Sequence, residues 1–95
     1  MSSGHSGVCE LLNDIKIELE KQINANQPAP QMGELLKLTN VMPNRLLTSG
    51  LPPITIDSLQ TLADSIYAKS STQESLRSHL INVNQFIKKL CSTNH

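Results

Sequence analysis

At 95 residues the chain has room for one domain with a single modest core. Eight basic and eight acidic residues cancel to a formal charge of zero. Phosphate neutralisation supplies much of a nucleic-acid binder's affinity, so any attraction to DNA must come from how the charge is distributed. One Phe, one Tyr and no Trp leave the core to Leu, Ile and Val. No apolar run approaches the ~18 residues of a membrane helix, and no signal peptide is visible. Two cysteines at opposite ends do not make a disulfide framework. These features predict a reduced, cytoplasmic chain with no membrane contact and no cofactor.

Residues 1–7, MSSGHSG, are small and polar and read as a disordered tail. Val8, Leu11, Leu12, Ile15, Leu19 and Ile23 then recur at helical spacing and predict a helix from Val8 to Ile23. Pro28 and Pro30 end it, because a proline ring cannot continue a helix. A second helix is expected over Gln31–Leu38, with Leu35, Leu36 and Leu38 as buried candidates and Gly33 as a weak point inside it. Thr39-Asn40-Val41 reads as a turn, with Asn40 suited to positive φ. Pro43 suits the first position of a third helix, Pro43–Thr48, which Gly50 stops.

A fourth helix is expected from a cap at Thr55 to Lys69, with Ile54 and Leu59 as a hydrophobic staple. Its inner stripe is Ile56, Leu59, Leu62, Ala63 and Ile66. Ser71-Thr72-Gln73-Glu74 has the form of a capping box and opens a fifth helix, which runs to Leu90. Its Leu76, Leu80, Val83, Ile87 and Leu90 form a seam of two heptads. That seam packs on the first helix or makes a dimer or partner contact. The expectation is an all-α chain of about five helices, one domain over residues 8–90 and a short tail at 91–95.

The stretch QMGELLKLTNVMPNRLLTSG and its continuation LPPITIDSLQTLADSIY resemble the helix-turn-helix of the lambda-repressor-like (Cro/C1-type) DNA-binding family. The resemblance covers about half the chain. It implies a helix-turn-helix core at residues 31–49 with an additional C-terminal helix. It also implies a small repressor-type transcriptional regulator that binds double-stranded DNA as a homodimer, with the helix at 43–49 in the major groove. Asn44 and Arg45 would then read base edges, since Asn pairs with adenine and Arg with guanine through two hydrogen bonds. Gln31 would hold a phosphate, and Lys37, Thr48 and Ser49 would add backbone contacts.

Other chemistry is sparse. His5-x-x-x-Cys9 and Cys91-x-x-x-His95 have zinc-like spacing, but their place at the two termini reads as incidental, and no metal is expected. His79 has no nucleophile or acid at a useful spacing and reads as an exposed or marginal residue, so no enzyme is expected. The rival to DNA binding is a helical protein-interaction or adaptor domain. It would dock a partner through its acidic first helix (Glu10, Asp14, Glu18, Glu20) or through the leucine seam of the last. A single base, Arg45, in the recognition helix favours it.

Overall fold

The computed structural model describes residues 5–28 and 30–91. It is all-α, with four helices where the sequence suggested five: α1 (Ser6–Ala25), α2 (Gly33–Leu47), α3 (Pro53–Ala68) and α4 (Gln73–Cys91). Each helix packs on the one before it, and α4 closes against α1. The diagonal pairs, α1 with α3 and α2 with α4, do not meet backbone to backbone.

Side-chain pairings fix the directions. The start of α1 meets the ends of α4 and α2, through Cys9–Cys91 and through Arg45 on the Gly7 carbonyl. The end of α1 meets the start of α4, through Gln73 on the Gln22 carbonyl. α3 runs antiparallel to both its neighbours: residues 43–47 of α2 lie beside 56–60, and residues 39–40 beside 60–67. Short connections between antiparallel neighbours give an up-down-up-down bundle.

One apolar cluster fills it. Val8, Leu11, Leu12, Ile15 and Leu19 of α1 meet Leu35, Met42 and Leu46 of α2, Leu59, Leu62, Ala63 and Ile66 of α3, and Leu76 and Val83 of α4. These stripes keep intervals of three, four and seven residues, as burial of one helix face requires.

α1 starts at Ser6, so His5–Gly7 belong to the folded body and not to a tail. It ends on Asn26 in the left-handed conformation, whose N–H bonds back to the Gln22 and Ile23 carbonyls. Asn26 is the one non-glycine residue at positive φ among the described residues. The left-handed asparagine expected at Asn40 is therefore at the end of α1 instead.

The bend at Thr39-Asn40-Val41 is absent: α2 runs unbroken through it and through Pro43. Pro43 cannot donate to the Thr39 carbonyl and its ring crowds that group, at a cost of ~3 kcal/mol in a helix interior. Against this stand Leu35, Met42 and Leu46, all buried on one stripe that crosses the proline. Full burial of one such side chain is worth ~1.5–3 kcal/mol, so a break that lifted Met42 and Leu46 from the core would cost more than the proline does. Gly33 opens α2, and a side chain there would meet nothing within 4 Å, so it marks no close approach.

Two caps also sit elsewhere than expected. α3 starts with Pro53 after Pro52, not at Thr55, and Ile54 is 76% exposed and staples nothing. The box at α4 is shifted by one residue. Ser75 N–H donates to Thr72 Oγ1 at 3.1 Å and Thr72 N–H to Ser75 Oγ at 3.2 Å, so Thr72 and Ser75 are the reciprocal pair, not Ser71 and Glu74.

The thiols expected to be free are joined: Cys9 near the start of α1 bonds Cys91 at the end of α4, with Cα atoms 5.8 Å apart. The bridge spans 82 residues of sequence.

Two measurements check this architecture. Pro43→Ala restores a helical N–H and should raise the unfolding free energy by ~1–3 kcal/mol in urea melts; with a turn at Asn40 and Pro43 at a helix start, it would give no gain. Cys9→Ser with Cys91→Ser, or reduction, should lower stability by ~4 kcal/mol in the same melts, the chain entropy that so long a loop releases.

Candidate functional site

Residues picked out for DNA contact do not share one job in the folded chain. Lys37, Asn44 and Thr48 are exposed. Lys37 and Asn44 are two turns apart on the same face of α2, and Thr48 caps its C-terminal end. Gln31 is exposed but precedes the helix, and its N–H is taken by Gln22 Oε1 at 3.1 Å. The amide proposed as a phosphate donor is thus already used.

Arg45 is turned back toward the body. Its Nη1 donates to the Gly7 carbonyl at 2.7 Å and lies 3.5 Å from Glu10 Oε1. The aliphatic part of its side chain runs beside Gly7, where a methyl group would sit 3.5 Å from Arg45 Cδ. Arg45 thereby ties the end of α2 to the start of α1. Ser49 is 2% exposed; its hydroxyl donates to the Leu46 carbonyl and accepts from the Leu51 N–H. It closes the α2–α3 turn and has no surface to offer a phosphate.

Basic residues do not converge. Lys37 and Arg45 are on α2, whereas Arg77, Lys88 and Lys89 are on α4, across the diagonal of the bundle. Leu76 and Val83 of the leucine seam are fully buried within the single chain, and Leu80, Ile87 and Leu90 are partly buried against the same core. The seam is spent on α1, the largest helix–helix contact in the molecule, and leaves little for a dimer partner.

His79, expected at the surface, is buried, with Nε2 2.6 Å from the Lys69 carbonyl. A carbonyl only accepts, so Nε2 carries the proton. The ring closes the α3–α4 junction together with Ser70, whose hydroxyl donates to the Ile66 carbonyl. Of the two histidine–cysteine pairs, His95 lies outside the described residues. Both cysteines are consumed by the disulfide.

A smaller cleft of ≈ 240 Å³ lies between α3 and α4, beside Ser58, Ser65 and Asn82, and a longer one, which sequence reasoning missed, runs along the α2–α3 seam. Thr39, Asn40 and Pro43 of α2 and Gln60, Asp64 and Tyr67 of α3 line one half, of ≈ 270 Å³. Leu46 and Leu47 of α2 and Ile56, Asp57 and Gln60 of α3 line the other, of ≈ 330 Å³. Pro43 and Gln60 belong to both, so the halves are continuous. Leu47, 81% exposed, stands at the apolar end, and Tyr67, more than half exposed, at the polar end. In the polar half Gln60 Nε2 donates to Asp64 Oδ1 at 3.0 Å. Thr39 carries the carbonyl that Pro43 cannot bond, and both residues line this side. The sequence signal was present in Leu47: it extends the apolar run Leu46-Leu47 off the buried stripe, at a place where a surface leucine covers nothing.

No family model, curated protein or solved structure matches the chain. The fold and its cleft stand on the geometry alone.

Arg45→Ala separates the two roles of that residue. It should lower the melting temperature by a few degrees, because the tie to Gly7 is a hydrogen bond from a charged group worth ~1 kcal/mol or more. Arg45→Lys should recover only part, since one ammonium cannot copy the planar fork.

Proposed function

We propose that this chain is a helical protein-interaction module, stapled by a disulfide, that docks a partner in the α2–α3 cleft. The cleft carries the reading: a continuous, partly apolar trough with an exposed leucine at its edge is the kind of surface that marks a binding site. Four observations favour it over groove reading of DNA. α2 is unbroken where a helix-turn-helix turns; Arg45 is engaged within the chain; Ser49 is buried; and the basic residues are split across the bundle. The bridge between Cys9 and Cys91 supports a working place where thiols oxidise, since such bonds are rare in reducing compartments. No described helix is long and apolar enough to cross a membrane.

The test pairs two measurements. A photo-crosslinking amino acid at position 47 should trap a protein from an extract of the source, with and without nuclease, while the same label at Asn13, exposed on α1, should not. Anisotropy against a random duplex pool at ~50 mM salt should show no binding. Duplex retention abolished by Asn44→Ala, or cross-links lost on nuclease treatment, would restore DNA as the partner.

A further inference from the structure

We infer that the occupant of the α2–α3 cleft is an amphipathic helix whose apolar stripe is edged by lysine or arginine. The inference rests on the interaction reading above and adds the chemistry of the partner.

Charge is the first argument. The whole chain is neutral, yet the cleft is not: Asp57 and Asp64 line it, and no lysine or arginine does. Neither aspartate is held by a cation among the described residues. Asp64 is met by the Gln60 amide, and the one ion pair among the described residues that involves a carboxylate is that of Glu10 with Arg45. Arg45, the base on α2 nearest to Pro43 by sequence, is turned back to the Gly7 carbonyl and Glu10, and Lys37 does not line the trough. A partner must therefore bring its own positive charge.

Spacing is the second. Asp57 and Asp64 are seven residues apart on α3, two helical turns, so they stand on one face about 10 Å from each other. A partner helix laid along the seam would present residues at the same interval. Between the two carboxylates sit Gln60 and, across the trough, Pro43. The apolar floor of Leu46, Leu47 and Ile56 lies toward the Asp57 end. Apolar side chains at i, i+3 and i+7 of a partner helix would cover that floor, in the helix-in-groove mode.

Acceptors are the third. On the α2 side the polar half carries the exposed Asn40 side chain, whose amide carbonyl accepts and which makes no hydrogen bond among the described residues. A lysine ammonium, with three donors and no acceptor, suits a carbonyl and a carboxylate together better than an acidic or neutral group.

A designed 18-residue helical peptide with leucines at i, i+3 and i+7 and flanking lysines is the probe, with a matched peptide carrying glutamate at the lysine positions. Fluorescence anisotropy on the oxidised full chain should show the lysine peptide binding about tenfold or more tighter than the glutamate peptide, because two attractive pairs are exchanged for two repulsive ones. Asp57→Lys with Asp64→Lys should reverse the order. Leu47→Glu should weaken the lysine peptide about tenfold, and Ile17→Glu, at an exposed isoleucine on α1, should not. All four positions are exposed, so these variants fold. Equal binding of both peptides, or loss on Ile17→Glu, overturns the charge assignment but leaves a protein-binding cleft. Binding of neither, with position 47 still cross-linking to a protein in the extract, overturns the basic-helix partner alone. Concentration-dependent dimerisation abolished by Leu47→Glu would make the occupant a second copy and overturn the inference.

Discussion

The pairing of α1 with α4 is the constraint on which the rest depends. It is held along its length by the stripe from Val8 to Leu19 against Leu76 and Val83, and at each end by a separate device. At one end Cys9 bonds Cys91. At the other Gln73 Nε2 reaches the Gln22 and Gln27 carbonyls, and Gln22 in turn receives the Gln31 N–H and donates to Glu18. The first and last helices are thus locked in register before the middle pair is considered. A chain whose ends are fixed together has far fewer unfolded arrangements, which is how a bundle with almost no aromatic volume stays folded.

Polar side chains that looked available for chemistry are mostly occupied in holding helix ends. Arg45 joins the end of α2 to the start of α1, Ser49 and Ser70 close turns, and His79 joins α3 to α4. Helix ends leave backbone groups unpaired, and a small bundle with short loops has many ends for its size. The demand for partners at those ends consumed the residues that might otherwise have formed a site. It leaves a shallow trough on the far side of the molecule, between α2 and α3, that joins apolar side chains to polar ones.

Pro43 links fold and surface. It was tolerated in α2 because burial of Met42 and Leu46 outweighs the missing bond, and Pro43 itself lines both halves of the trough. A proline that a sequence reader takes as a helix start became, in the bundle, the defect that makes one helix face different from the other three. The resemblance to a helix-turn-helix arose from the local rhythm of Leu35, Asn40 and Pro43, and that rhythm is equally compatible with one straight helix.

The apolar periodicity by itself determined that the chain is helical and which faces turn inward: the stripes of α1 and α3 and the Leu76–Leu90 seam were legible because burial of one helix face demands recurrence at three and four residues. It could not determine whether Asn40 bends, because Leu35 and Met42 are apolar in either arrangement, and only the packing energy of the assembled core chooses between them. The Cys9–Cys91 bridge, the burial of His79 and the inward turn of Arg45 were likewise decided by tertiary structure alone. Each joins groups ten to eighty-two residues apart, and no local pattern carries the direction in which four helices return upon one another.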